Sequence, residues 1–420
     1  MIRLRVWDSL RPMGWFGQAQ AAYFFEYDPQ WIAEKGYVLA PQFPVVAQRY
    51  VGDQVKTFFE NLLPEGEVLD DIISVIATRG ASSFEVLGRL GAELPGVLSL
   101  LAEDEAPMSR QEYKLLSFEE LSARLQNRSQ TPFLVSNNQG SMSLAGAQDK
   151  LGLRFDAKTS EFRDSVGKSP STHIAKPDTR QVRYQPSAIN EYACMKLAAA
   201  LKLPVPEVWL QRVPEAVYVV KRYDRDIFNG RIQSIHQIDG CQLLGHGAGW
   251  KYERNGGLVS LSKLVTAMRG LSLRGSDLLE FQRWVMFNFL IGNADAHAKN
   301  VSVLIQDKGY RLAPFYDLLC VKAYGDNGLA LFIGDAETFD AVFKHSWEEF
   351  CQDCGFGLQA TLKELEKMAL ALPEKWLKTQ ARIVKEHKPT EAERDLLARM
   401  TAIFEGQCAA ALRMLGRASS

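Results

Sequence analysis

The sequence predicts an α+β fold with a mostly helical C-terminal half, on three observations. Short runs in which apolar and polar residues alternate recur between Arg3 and Val220, the pattern of half-buried strands. From Leu258 onward apolar residues recur every three to four positions, the period of a helix. A polar cluster from Asn293 to Asn300 breaks the helical half and leads into a short hairpin around Gly309.

Taken in order, Arg3 to Trp7 and Ala22 to Tyr27 alternate as strands, while Phe58 to Leu63, Val68 to Thr78 and Ser83 to Arg89 carry helical periodicity. Pro64 and Gly66 end the first of these helices in a turn, and the glycines and proline between Leu87 and Leu101 make a tight connection into a strand. None of these residues is arranged for chemistry, and residues 1–130 read as a mixed α/β module. From Arg124 to Ser143 the composition turns polar and predicts an exposed linker. Leu151 to Phe155, the run ending at Lys176, Val205 to Leu210 and Ala216 to Val220 are further strands of a small lobe, residues 131–225. Asn190 is placed to cap a helix over Tyr192 to Lys202, with Glu191 in its first turn. Gly240 to Gly257 is glycine-rich and reads as a mobile connection. The helical lobe, 226–420, holds predicted helices at Leu261 to Met268, Ser276 to Leu290, Trp347 to Cys354, Leu358 to Ala371, Glu374 to Lys385 and Thr390 to Leu415.

Composition narrows the function. At 420 residues, with 49 Lys and Arg against 50 Asp and Glu, the chain has neither the basic excess of a general nucleic-acid binder nor the acidic excess of a disordered segment. Residues 2–7 alternate like a strand instead of forming the apolar core of a signal peptide, and no window is apolar enough to span a bilayer, so a cytoplasmic setting is expected. Cys351 and Cys354 form a CxxC, but no second pair or nearby His completes a zinc set; two reduced thiols one helical turn apart are expected.

The chemistry resides in NFLIGNADAHAKNVSVLIQDKGYRLAPFYD, Asn288 to Asp317. Asp295 is followed five positions later by Asn300 and, across a hairpin, by Asp317. Phosphoryl transfer from ATP needs such a set: one acid to orient the attacking hydroxyl and take its proton, and an Asn with a second acid to hold Mg2+ against the phosphates. Upstream, the small residues Ala145, Gly146 and Ala147 let backbone N–H groups approach phosphate oxygens. Lys176 ends an apolar strand as a phosphate-pairing Lys does, and Glu191 is its candidate carboxylate partner. Lys221, Arg222 and Tyr223 leave a strand where a kinase hinge meets adenine, a spacing equally compatible with an ion-paired strand end. Small-residue loop, strand Lys, helix Glu, hinge, catalytic Asp, Asn and Asp fall in the order of a two-lobed protein-kinase-like fold.

With these motifs in place the chain resembles the HipA family of type II toxin serine/threonine kinases, nearly end to end. SLAGAQDK (Ser143 to Lys150), HIAKP (His173 to Pro177), NEY (Asn190 to Tyr192), VVKRYDR (Val219 to Arg225), HQIDGCQ (His236 to Gln242), GNADAHAKN (Gly292 to Asn300) and LAPFYD (Leu312 to Asp317) carry the resemblance, and FFENLLPEG (Phe58 to Gly66) resembles the family's N-terminal domain. The resemblance implies Asp295 as catalytic base, Asn300 and Asp317 as Mg2+ ligands, and His297, Ala298, Lys299 and Tyr316 around the nucleotide. It implies a phosphate loop of Ala145, Gly146, Ala147, Gln148, Asp149 and Lys150, with Lys176 on the phosphates and Lys221, Arg222 and Tyr223 as adenine hinge. It further implies autophosphorylation at Ser143, with Ser141 a second candidate. The expected partners are an aminoacyl-tRNA synthetase substrate, with glutamyl-tRNA synthetase the best-known target in the family, and a HipB-like helix-turn-helix antitoxin through which operator DNA is met; no membrane is involved. The family's loop more often reads AGAQEK and its hinge often carries Glu, where this chain has Asp149 and Lys221; the second exchange puts any side-chain role at the hinge in doubt. Two other readings fit part of the set: a small-molecule phosphotransferase, and a non-catalytic partner that helps an antitoxin bind DNA.

Overall fold

The computed structural model describes residues 2–20, 22–76, 81–107, 110–128, 146, 148–167, 169–228, 231–306 and 309–417. The chain divides into two units, one of Met1–Pro177, Gln211–Ala248 and Val303–Tyr310, the other of Asp178–Leu210, Gly249–Ser302 and Arg311–Ser420. Helices and antiparallel strands are mixed in the first, and helices dominate the second, as an α+β chain with a helical C-terminal lobe requires.

The first unit opens with an antiparallel sheet in the order Arg49–Val51, Ala22–Tyr27, Arg11–Ala19, Ile2–Asp8, Leu98–Leu101. Arg11–Ala19 is a strand that the glycine-rich sequence RPMGWFGQA did not suggest. Its glycines are demanded by close approach: a Cβ on Gly14 would lie 2.3 Å from the Glu26 carbonyl oxygen, and one on Gly17 2.4 Å from the Phe24 ring. Phe16 stacks on Phe59 with ring centroids 3.9 Å apart, so the helix Asp53–Glu60 closes the core of this sheet. The helix Phe118–Asn127, capped by Ser117 and Glu120, replaces the linker expected from Arg124. Its polar residues form the solvated side of a helix that buries Leu121 and Leu125, and Arg124 pairs with Asp164 at 2.6 Å. The remainder of that predicted linker, from 129 to 143, lies outside the described residues.

In the second sheet of this unit the strands Ala216–Lys221, His173–Pro177, Leu151–Asp156, Glu161–Val166 and Glu112–Leu116 follow one another. His173 is buried within it, with Nδ1 accepting the Phe155 N–H at 3.2 Å. Burial, aided by Lys221 and Arg154, holds its pKa down to about 4. The unfolded imidazole binds a proton below pH about 6.5, whereas the folded one does so only near the depressed value. Stability from this group is therefore complete above pH about 6.5 and lost as the pH falls toward about 4. Unfolding midpoints in urea at several pH values should show that decline, and His173→Asn, which keeps an acceptor without titrating, should flatten it.

The second unit is organised by the helices Ala188–Ala200, Leu261–Gly270, Gly275–Ile291, Lys344–Cys354, Leu358–His387 and Glu391–Met414. Gly275–Ile291 is buried on nearly every side, through Phe281, Trp284, Val285, Met286, Phe287, Phe289, Leu290 and Ile291. Leu358–His387 runs unbroken through Pro373, where two helices were predicted. A mid-helix proline forfeits a hydrogen bond and costs about 3 kcal/mol; burial of Leu365, Met368, Leu372, Trp376 and Ile383 along one face offsets that cost. The predicted cap at Asn190 is also corrected: the helix starts at Ala188, because the Asp178 carboxylate accepts the N–H groups of Ser187 (2.7 Å) and Ala188 (2.8 Å). Cys351 and Cys354 are buried one turn apart, and the Cys351 thiol donates to Thr361. Among the described residues no helix is long and apolar enough to cross a membrane.

Candidate active site

The helix Gly275–Ile291 delivers the chain to Gly292, whose φ of 66° is the left-handed cap that glycine adopts without strain. A Cβ there would sit 2.9 Å from Cβ of Lys322, whose N–H donates to the Gly292 carbonyl at 2.9 Å. The loop that follows is tied to itself. The Asn293 N–H bonds the Asn288 carbonyl, Oδ1 of Asn293 accepts the Asp295 N–H at 3.1 Å, and the Asp295 carbonyl accepts the His297 N–H at 2.8 Å. Nδ2 of Asn300 also donates to the Asp295 carbonyl, at 2.8 Å. His297, Ala298, Lys299 and Asn300 are all buried. Beyond the hairpin, the Tyr316 hydroxyl donates to the Lys299 carbonyl at 2.6 Å and meets Ser302 Oγ at 2.7 Å. Asp317 has φ 53°, a left-handed conformation uncommon outside glycine that Asp and Asn adopt more readily than other residues. The buried side chain of Asn190 secures the next turn by bonding both the N–H and the carbonyl of Cys320. Asp295, Asn300, Tyr316 and Asp317 thus belong to one cross-bonded segment of the second unit.

Asp295 is the electrostatic focus. Burial raises its pKa and the nearby Asp317 charge adds to that, against a hydrogen bond from Tyr252 and the positive charges of Lys251 and Arg254. The Tyr252 hydroxyl donates to Oδ1 of Asp295 at 2.5 Å. Its neighbours hold it: the Lys251 carbonyl accepts the Ala298 N–H at 3.1 Å, and Glu253 accepts the Phe332 N–H at 2.7 Å. Burial lifts Glu253 to about 7. Lys251, Tyr252 and Glu253 were absent from the predicted site, lying in the glycine-rich stretch expected to be mobile. That stretch is instead built of the helix Gly240–Leu244 and the turns Ala248–Trp250 and Glu253–Asn255. A Lys-Tyr-Glu triplet between glycines was the available signal.

A divalent cation suits these groups. Nδ2 of Asn300 is committed to the Asp295 carbonyl, which leaves its Oδ1 as the atom that could ligate a cation. Asp317 contributes a carboxylate whose repulsion of Asp295 a cation would relieve. Among the described residues no cluster of three or more His, Cys, Asp and Glu is placed for a metal. An ion held by one carboxamide and one or two carboxylates completes its shell with water and phosphate oxygens, the habit of Mg2+.

The first unit carries the other predicted residues. Gly146 has φ 110°, and its carbonyl accepts the Glu65 N–H at 3.1 Å beside a parallel bridge to Pro64. The FFENLLPEG segment, expected to have no part in the site, therefore grips Gly146 of the predicted phosphate loop by its main chain. Gln148 donates to the Pro177 carbonyl at 3.1 Å, Asp149 pairs with Arg128 at 3.2 Å, and a Cβ on Gly146 would press on Nζ of Lys150 at 2.7 Å. Ala145, Ala147, Ser141 and Ser143 lie outside the described residues. Lys176 is buried in the strand His173–Pro177, with Nζ 5.7 Å from the Tyr218 ring. Glu191 is buried in the first turn of the helix Ala188–Ala200 in the second unit.

At the predicted hinge, Lys221 is exposed, the Tyr223 hydroxyl bonds Gln237, and Arg222 is fully committed elsewhere. Its N–H donates to the Thr172 carbonyl, and its guanidinium binds Asp224 in a two-pronged contact (2.9 and 2.8 Å) and Glu93 at 3.0 Å. Arg225 bonds the same two acids, Glu93 also accepts from Ser171, and Asp224 accepts the Gly96 N–H. Burial opposes ionisation of Asp224, yet the two guanidiniums hold its carboxyl well below the usual range. Arg222 is thus an ion-paired residue whose side chain anchors the end of the strand Ala216–Lys221 to residues 93–96.

Among family models, the HipA N-terminal domain matches residues 4–101 and the HipA-like C-terminal domain residues 142–376. The chain belongs to the HipA family. It is 32% identical to the "Putative kinase Y4mE" of Sinorhizobium fredii, over 87% of this chain and 89% of that one. It is 28% identical to the serine/threonine-protein kinase toxin HipA of Shewanella oneidensis, over 83% and 82% of the two chains. The solved structure of a Shewanella oneidensis HipA, in complex with HipB and operator DNA, matches with a TM-score of 0.85 at 25% identity, covering 99% of this chain and 98% of that one. The fold is accordingly the two-lobed kinase-like α+β fold of HipA, and the chain is a protein kinase.

Proposed function

We propose that this HipA-family kinase is the toxin of a type II toxin–antitoxin pair and moves the γ-phosphate of ATP to a serine of a translation factor, an aminoacyl-tRNA synthetase such as glutamyl-tRNA synthetase, so arresting growth. The observation that carries the reading is the cross-bonded loop in which Asn300 clasps the Asp295 main chain and Asp317 lies near enough to perturb Asp295. Asp295 accepts the proton of the attacking hydroxyl; Asn300 and Asp317 hold Mg2+. A bound Mg2+ supplies charge neutralisation on the phosphates. Lys176 and the loop from Ala145 to Lys150 bind the phosphates, His297 to Lys299 and Tyr316 flank them, and the main chain of Lys221 to Tyr223 meets the adenine. Residues 1–130, 131–225 and 226–420 act as accessory domain, small lobe and helical lobe. The HipB and operator DNA in the relative's complex support a helix-turn-helix antitoxin that restrains this chain and joins it to DNA. Ser143, or Ser141, takes an autophosphate, and the setting is the cytoplasm.

The test is incubation of the purified chain with γ-labelled ATP and Mg2+, alone and in a cell lysate, with labelled proteins identified by mass spectrometry. Label on the chain itself and on one synthetase is the expected result. Label confined to small molecules, or no transfer, overturns the reading.

A further inference from the structure

Asp295 is held by its main chain, yet an Asp carboxylate turns freely about its last bond, so the loop alone does not decide which oxygen faces an incoming hydroxyl. The side chain of Asp295 has a single donor among the described residues, the Tyr252 hydroxyl at 2.5 Å on Oδ1. A phenol donating to a carboxylate makes a strong, charge-assisted bond. The tyrosine is itself fixed on several sides. The His297 ring meets it edge-on with centroids 5.2 Å apart, the Arg254 guanidinium lies 4.2 Å from its ring, and the bonds of Lys251 to Ala298 and of Glu253 to Phe332 hold the residues before and after it.

We propose that Tyr252 is a positioning residue for phosphoryl transfer: its hydroxyl pins Oδ1 of Asp295 and turns Oδ2 toward the acceptor hydroxyl. The proposal rests on the reading of Asp295 as the base. A phenol suits the task because it donates without competing for the substrate proton, being neutral at physiological pH. The proton of the acceptor passes to Oδ2 as the oxygen–phosphorus bond to the γ-phosphate forms, and ADP leaves with the electron pair of the broken bond.

Tyr252→Phe removes only the oxygen. With the full-length chain, γ-labelled ATP and Mg2+, kcat for label transfer should fall by about 10- to 100-fold, the scale on which misplaced catalytic groups act. KM for ATP and the affinity for a fluorescent ATP analogue should stay within about twofold, because the phenol holds a base and no part of the nucleotide. Transfer by the variant at the wild-type rate overturns the proposal. So does loss of analogue binding or a lowered melting midpoint, either of which makes Tyr252 a structural residue only. Asp295→Asn run alongside separates the two claims: if it matches the wild type, the base assignment fails and this proposal falls with it, whereas an inactive Asp295→Asn beside a fully active Tyr252→Phe sinks the proposal alone.

Discussion

Asp295→Asn is expected to lower phosphoryl transfer by about a thousandfold or more while leaving the chain folded, since it removes the proton acceptor and little else. The carboxamide oxygen can still accept from Tyr252, and the exchange removes a partly buried charge that Asp317 repels, so the melting midpoint should hold or rise. Asp317→Asn is the companion variant. Asn tolerates the left-handed backbone that Asp317 adopts at φ 53°, so this change tests the charge without disturbing the turn, as alanine would not. Both are read out by label transfer from γ-labelled ATP and by growth on induction, where the wild type should arrest cells and the variants should not. Wild-type transfer by either one would remove that carboxylate from the chemistry.

The second large effect is on stability. Glu93 accepts from Ser171, Arg222 and Arg225 in a cluster of two buried acids and two buried guanidiniums. Glu93→Gln leaves a surplus positive charge in that interior, a change that costs about 3–5 kcal/mol. A charge-balanced double variant, Glu93→Gln with Arg225→Met, should regain much of the loss, because the cost comes from the unpaired ion more than from the missing contact. Urea unfolding of the two variants beside the wild type measures this. A single variant as stable as the wild type would show that water or a rearranged side chain already serves Arg222 and Arg225.

The fold of the segment from Gly292 to Asp317 was legible because its signals are local. An apolar run stopping at Gly292, an Asp and Asn five residues apart and an alternating hairpin all read from contiguous residues, and the folded segment is bonded mostly within itself. What escaped prediction depends on distant partners. The strand Arg11–Ala19 looks glycine-rich until Glu26 and Phe24 are laid beside it. The helix after Ser187 begins where Asp178 supplies acceptors, and no local pattern displays that. Pro373 would end an isolated helix, but a continuous buried face carries the chain through it. Tyr252 shows locally only as the middle of a Lys-Tyr-Glu triplet between glycines; its meaning comes from an aspartate 43 positions later.

The grip of Glu65 on Gly146 runs through an N–H and a carbonyl, atoms common to almost every amino acid. Alanine scanning across residues 58–66 would leave that bond untouched and score the position as indifferent. Drift in the side chains there would likewise leave no trace of the constraint. Only a change that deletes the amide hydrogen, as Glu65→Pro does, can register how far the N-terminal segment governs the backbone at Gly146.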